Sequence, residues 1–160
     1  LLIRRLRMNY NQINNITKIL AFITFTFLII FSNTYAMEAP ENLIIKDIKE
    51  GNGRIAVKGK ELAVHYTGWL FDSKLETQDL CEAKGRQFDS SLERGMPFEL
   101  ALGQGMVIPG WEEGLIGMKE DGKRCLVIPS SMAYGNRAVG NGLIPANSTL
   151  IFEIILLGVR

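Results

Sequence analysis

The sequence predicts an α+β fold in which an antiparallel sheet is covered on one face by a short helix. Three observations lead to this prediction. Segments rich in β-branched and aromatic residues recur after residue 42 and are separated by turns that contain Gly. One stretch, residues 107–118, has apolar residues at helical spacing. A Gly-rich stretch, residues 130–148, fits neither pattern and is predicted to be loop.

The predicted strands follow one another from residue 43 onward. Their bounds come from the apolar segments and from the turn residues between them. The last strand is almost wholly apolar, which is typical of a strand near the middle of a sheet. The predicted strands are Leu43–Lys49, Glu61–Leu70, Phe88–Ser91, Pro97–Leu102, Arg124–Pro129 and Thr149–Leu157.

The predicted helix, residues 107–118, presents one apolar face to the sheet. Pro109 lies in its first turn, where the missing N–H costs little. Gly114 and Gly117 weaken helix formation, so the helix is expected to be short. The apolar face consists of Val107, Trp111, Leu115 and Met118.

Residues 1–36 differ in composition from the rest of the chain. They contain no Asp or Glu, and a cationic segment precedes an apolar run at residues 19–31. Thr34 and Ala36 follow at the −3 and −1 positions of a cleavage site, a layout typical of a secretory signal peptide. The apolar run is shorter than the roughly 17–25 residues of a membrane span. We predict a cleaved signal, with an uncleaved anchor and a buried helix of the domain as the alternatives. Met8 is an alternative start of the protein.

The rest of the chain predicts one exported domain, periplasmic or secreted, or facing outside the cytoplasm if the signal remains as an anchor. Residues 37–42 are expected to be a short tether, and residues 43–160 the domain, with a polar insertion at residues 71–87. Export would place Cys81 and Cys125 in an oxidising compartment, where disulfides form. The sequence leaves both a disulfide and two free thiols open.

The charge of the predicted domain excludes one class of partner. Residues 37–160 carry 14 Lys and Arg against 17 Asp and Glu, a formal charge of −3, and have no basic stripe. Binding of nucleic acid requires clustered cations that replace phosphate counterions. No nucleic-acid partner is therefore expected.

Conventional catalytic sets are missing from the sequence. His65 is the only histidine, and no second pair of ligands stands at zinc spacing, so neither a metal nor another cofactor is expected. The sequence has no Gly-x-Ser-x-Gly elbow and no Gly-Lys-Ser/Thr phosphate loop. Glu112 and Glu113 are adjacent on the helix, so they do not face each other as a glycosidase pair would. His65 is expected to be packed or hydrogen-bonded within its strand.

Aromatic residues beside loops are the remaining notable feature. Such residues usually belong to a core, and composition alone allows an aromatic pocket without requiring one. The residues are Tyr66, Phe88, Phe98, Trp111, Tyr134 and Phe152.

Short motifs around these aromatic residues occur in a fixed order along the chain. They are VHYTG at residues 64–68, FDSS at 88–91, PF at 97–98, VIPGWEEG at 107–114, AYG at 133–135 and IPANSTL at 144–150. In this order and spacing they resemble the FKBP family of peptidyl-prolyl cis-trans isomerases over residues 43–158. The resemblance implies a twisted five-stranded antiparallel sheet wrapped around one short helix, with an apolar pocket between them.

The same resemblance implies a place for each site residue. Trp111 is expected to form the floor of the pocket. The walls are expected to be Tyr66, Phe88, Phe98 and Phe152, and the rim Val107, Ile108, Tyr134 and Ile144. Asp89 matches the pocket carboxylate of the family and Arg94 the basic residue near it. Two roles stay open for Asp89, because it can orient Tyr66 or pair with Arg94.

The implied function is acceleration of X-Pro bond rotation in exported client proteins. The backbone N–H of Ile108 and the hydroxyl of Tyr134 are implied to hold the peptide. Partners are expected to be proline-containing unfolded or folding polypeptides, and rapamycin-type macrolides are expected to inhibit. A catalytically weak binding module or holdase with the same fold is the alternative. A monomer without a cofactor is expected, and a membrane contact only if the signal is uncleaved.

Overall fold

The structure, a computed structural model, describes residues 37–160. The predicted signal at residues 1–36, with its cleavage site, lies outside the described residues. Within the described part, no helix is both long enough and apolar enough to span a membrane. The elements are strands β1 (Ile44–Lys49), β2 (Glu61–Phe71), β3 (Lys84–Ser90), β4 (Phe98–Ala101), β5 (Lys123–Ile128) and β6 (Leu150–Val159), helix α1 (Pro109–Gly114), and two 3₁₀ turns, Leu80–Glu82 and Ser130–Met132.

One antiparallel sheet contains all six strands, in the order β1-β5-β6-β2, and its outer position is shared by two strands. Strand β4 pairs with the first half of β2, at residues 61–64, and β3 pairs with the second half, at residues 67–71. The sheet is therefore five positions wide although it has six strands. The predicted α+β class is confirmed, and β6 lies between β5 and β2 as its apolar sequence predicts.

The beginning of β3 differs from the prediction. The sequence predicts loop up to Gln87, but β3 begins at Lys84, which pairs with Phe71, while Gln87 pairs with Trp69. The loop prediction for residues 84–87 is thus wrong. These residues are polar and partly exposed on an outer strand, where burial does not demand an apolar pattern.

Helix α1 is shorter than residues 107–118, because the chain leaves the helix after Gly114. Gly117 adopts a φ of +76° and its N–H donates to the carbonyl of Ala56 at 2.8 Å, which ends the helical path. The predicted apolar face is present, since Trp111, Leu115 and Met118 are at most 4% exposed. Pro109 occupies the first helical position, as predicted.

Two glycines of α1 let the helix lie directly on β5. A Cβ atom on Gly110 would lie 2.4 Å from Cγ2 of Ile128, and one on Gly114 would lie 2.6 Å from Cδ1 of Leu126. Real Cβ atoms do not approach other heavy atoms so closely, so a side chain at either position would force the helix or the contacting Ile128 or Leu126 side chain to shift. The main core fills the remaining space between α1 and the inner face of the sheet.

A second, smaller core lies on the outer face of the sheet. Strand residues alternate between the two faces, so Val127 and Ile151 point away from α1 while their neighbours point toward it. The segment at residues 72–83 packs on this outer face, and Cys81 forms a disulfide with Cys125 of β5. The disulfide answers the question that the sequence leaves open.

We expect the disulfide to stabilise the fold without affecting catalysis of short peptides. It links residues 44 positions apart, and a cross-link of that length contributes about 2–4 kcal/mol to the free energy of unfolding. A Cys81→Ala/Cys125→Ala double variant should lose stability of that order in urea denaturation and keep its activity. Wild-type protein in reductant should approach the variant. Equal stability of the oxidised protein and the variant would contradict the prediction.

Candidate active site

A cavity of about 450 Å³ opens between α1 and the inner face of the sheet. Nine of the eleven predicted site residues line it; Arg94 lies beside it, and Ile144 does not reach it. Its lining residues are Tyr66, Phe88, Asp89, Phe98, Met106, Val107, Ile108, Pro109, Trp111, Ala133, Tyr134, Arg137 and Phe152. Six of these lining side chains are aromatic rings, which come from five different elements and a loop and give the cavity an apolar wall.

Trp111 is the centre of the aromatic cluster. Its ring lies 5.2 Å from that of Tyr66, 5.3 Å from that of Phe152 and 6.0 Å from that of Phe98, between centroids. All three ring pairs are nearly perpendicular, the edge-to-face arrangement that aromatic quadrupoles favour. Trp111 is 4% exposed, and its indole N–H has no acceptor within residues 37–160. A rigid ring with an unused donor therefore lies at the base of the cavity.

Gly68 of β2 makes room for two of the wall residues. A Cβ atom at this position would lie 2.7 Å from Cζ of Phe88 and 2.8 Å from Cε1 of Phe152. Without that atom, the rings of Phe88 and Phe152 meet edge to face at 5.6 Å. Gly68 lies within a matched motif, but the sequence alone does not indicate this steric role, because the contact joins three separate strands.

One polar cluster interrupts the apolar wall. The Tyr66 hydroxyl donates to Oδ2 of Asp89 at 2.5 Å, and the Arg94 guanidinium donates both to Oδ1 of Asp89 and, at 2.9 Å, to the Tyr66 oxygen. Asp89 thus plays both roles that the sequence leaves open. Burial, and then the hydrogen bond to Asp89, raise the pKa of Tyr66 above its ordinary value. The Tyr66 hydroxyl therefore stays protonated at neutral pH.

Two residues that line the cavity have hydrogen-bond donors without partners. Within the described part of the chain, neither the backbone N–H of Ile108 nor the hydroxyl of Tyr134 makes a hydrogen bond. Burial and the nearby charge of Asp89 raise the pKa of Tyr134, so its hydroxyl is protonated at neutral pH. Both donors are available to a bound peptide.

The structure corrects the prediction for Ile144. The residue does not line the cavity and therefore does not lie at its rim. The side chain is 6% exposed and belongs to the main core, and its backbone exchanges two hydrogen bonds with Val139. Ile144 thus anchors the Gly-rich loop to the main core. The sequence assigns no site role to four lining residues, Met106, Pro109, Ala133 and Arg137, although Pro109 and Ala133 lie within matched motifs and Met106 precedes one.

Other chemistry is not supported by the described residues. The imidazole Nδ1 of His65 lies 3.0 Å from Oγ of Ser91, so the prediction that His65 is packed or hydrogen-bonded in its strand is confirmed. No group of three or more His, Cys, Asp or Glu residues at residues 37–160 is arranged to hold a metal ion.

The family model of FKBP-type peptidyl-prolyl cis-trans isomerases matches residues 52–157. The chain belongs to this family. An FK506-binding protein of Neisseria meningitidis serogroup A is 54% identical to the isomerase over 118 residues, 74% of this chain and 96% of the relative. An FK506-binding protein of Streptomyces anulatus is 43% identical over 122 residues, 76% of this chain and 90% of the relative.

A solved structure titled "Crystal structure of AtFKBP13" resembles the isomerase with a TM-score of 0.61 and 36% sequence identity. The superposition covers 78% of this chain and 98% of that one. The fold and the peptidyl-prolyl isomerase activity that the sequence predicts are therefore confirmed, and the cavity described above is the candidate active site.

We expect Gly68→Ala to reduce catalysis strongly, although the substitution adds only one methyl group. The added methyl group must displace the Phe88 or Phe152 ring, and such overpacking costs about 1–3 kcal/mol of stability. Because both rings are cavity walls, kcat/KM for an X-Pro peptide should fall at least tenfold. Gly158→Ala in β6 is the matched control, since nothing lies within 4 Å of a Cβ atom there. Equal activity of the two variants would contradict the steric role of Gly68.

Proposed function

We propose that this isomerase acts outside the cytoplasm, on X-Pro bonds of exported polypeptides that are folding. Two observations support the location. Residues 1–36 have the layout of a secretory signal. The buried Cys81–Cys125 disulfide is a bond that persists in oxidising compartments and is rare in the cytosol.

The proposed mechanism is preferential binding of the twisted amide. Rotation about an X-Pro bond has a barrier of about 18–20 kcal/mol, because twisting destroys the amide resonance. A site lowers this barrier if it binds the twisted form better than either planar form. The twisted amide has less charge separation than the planar one, so an apolar aromatic cavity favours it. The cavity floored by Trp111 is the observation on which the proposal rests.

Polar groups in the cavity have a positioning role in this mechanism. The N–H of Ile108 and the hydroxyl of Tyr134 hold carbonyl oxygens of the peptide on either side of the rotating bond. The cluster of Tyr66, Asp89 and Arg94 keeps its own charges paired, so it does not draw water or ions into the cavity. No proton transfer and no covalent step is required.

We further propose that rapamycin-type macrolides bind in the same cavity. Relatives that match more than two thirds of this chain carry the name FK506-binding protein. A cavity of about 450 Å³ lined by aromatic rings suits an apolar ring of such a ligand. Macrolide and substrate would then compete.

A single assay tests the mechanism and the shared cavity. Protein purified from cells that express the full chain should accelerate cis-trans isomerisation of a short X-Pro reporter peptide, and a macrolide should inhibit competitively. Phe88→Ala and Trp111→Ala should each lower kcat/KM by at least tenfold, because they remove a wall and the floor of the cavity. Leu75→Ala, at an exposed position on the 72–83 segment, is the control. A well-folded wild-type protein that does not catalyse would favour the holdase alternative.

Fractionation and N-terminal sequencing test the proposed location. When the full chain is expressed in a Gram-negative bacterium, the protein should appear in the periplasm with Met37 as its first residue. A membrane-bound protein whose N-terminus lies before residue 19 would contradict cleavage and indicate an anchor. A cytoplasmic protein with reduced cysteines would contradict export.

A further inference from the structure

Arg137 lies at the cavity, and the family resemblance in the sequence assigns it no role. It follows Tyr134 in a turn in which its own N–H donates to the Tyr134 carbonyl at 3.3 Å. The turn is held from below, because the N–H of Gly135 donates to Ser130 at 2.8 Å and the carbonyl of Gly135 accepts from Asn147 at 2.7 Å. The backbone beneath Arg137 is therefore fixed relative to the Tyr134 ring.

The charge of Arg137 is not balanced at the cavity. Among the lining residues, Asp89 is the one with a carboxylate side chain and Arg137 the one with a cationic side chain. The Asp89 carboxylate is already engaged by the Arg94 guanidinium and the Tyr66 hydroxyl. Arg137 is exposed and, within the described residues, has no carboxylate within ion-pair distance. One positive charge without a partner among the described residues thus remains at the mouth of the site.

We propose that Arg137 is a specificity-determining residue that makes the isomerase prefer X-Pro bonds flanked by an acidic residue. The proline ring occupies the aromatic cavity, and a carboxylate on the neighbouring client residue pairs with the guanidinium at the rim. This inference rests on the proposed binding of substrate in that cavity. The role proposed for Arg137 is recognition of the residue that flanks proline.

The size of the preference follows from the exposure of Arg137. Exposed ion pairs contribute about 0.2–1 kcal/mol, so the preference for an acidic over an uncharged flank should be roughly 1.4-fold to 5-fold. Salt screens such pairs, since the Debye length falls from about 10 Å at 0.1 M to about 3 Å at 1 M ionic strength. The preference should therefore largely disappear at 1 M salt, while catalysis of an uncharged peptide remains.

The test compares kcat/KM for matched peptides that carry Glu, Gln or Lys next to proline, in one set before it and in a second set after it. The protein is purified from cells that express the full chain, as wild type, Arg137→Gln and Arg137→Glu. Lys74→Gln is the control, because it removes the same charge from an exposed site on the segment over the outer face of the sheet. The Gln peptides report basal catalysis in every variant.

The proposal expects wild type and Lys74→Gln to prefer Glu over Gln in at least one set. Arg137→Gln should lose the preference, and Arg137→Glu should prefer Lys. A Glu preference that Arg137→Gln retains, or no preference in either set, would overturn the proposal. Each preference is a ratio of kcat/KM values within one variant, so a change that affects all peptides of a variant equally does not enter it. Wild-type protein inactive on the Gln peptides would contradict the proposed mechanism instead.

Discussion

Contact between α1 and β5, without intervening side chains on the helix, determines where the active site can form. Gly110 and Gly114 lie against Ile128 and Leu126, where even a methyl group would come within 2.6 Å of another atom. Because the helix lies this close to β5, the next residue, Trp111, reaches the inner face of the sheet, where its ring lies 5.2 Å from that of Tyr66 in β2. A helix of six residues has little stability of its own, so tertiary packing must hold it in place. Its glycines, which weaken an isolated helix, are thus what allows this packing.

The sheet separates catalysis from covalent stabilisation. Alternation along β5 sends Leu126 and Ile128 to the helix side and Cys125 and Val127 to the other, so the disulfide lies across the sheet from the cavity. The 72–83 segment is held on that outer face by Cys81 and by a small apolar cluster. A polar network closes the same face, with Glu153 accepting from Lys84 and Lys123, each at 2.6 Å. A change in this covering segment therefore need not alter the geometry of the site.

The sequence predicted most of the fold and of the site, for different reasons. Apolar strands such as β6 are visible because burial dictates their composition, and the helical spacing places Trp111 in the core. Nine site residues were found through the family resemblance, which carries positional information that composition lacks. What escaped prediction depends on long-range geometry: the pairing of Lys84 with Phe71, the bond of Gly117 to Ala56 that ends α1, and the core position of Ile144. A local sequence pattern does not show which distant segment of the chain a residue contacts.

The electrostatics of the cavity are consistent with a reaction that moves no proton. An ionised Tyr66 or Tyr134 would add a negative charge where the amide loses its polarity, but burial and Asp89 raise the pKa of both. A raised pKa means that the folded state binds the proton more tightly than the unfolded chain. The resulting stabilisation is fully present below the ordinary tyrosine value of 10.0 and is lost as the pH rises through the higher folded value. Both hydroxyls therefore remain neutral hydrogen-bond donors at neutral pH. Because Arg94 neutralises Asp89, the cavity binds the amide through its shape and its apolar surface. Charge is recognised at the rim, by Arg137, where it can select a substrate without opposing the rotation.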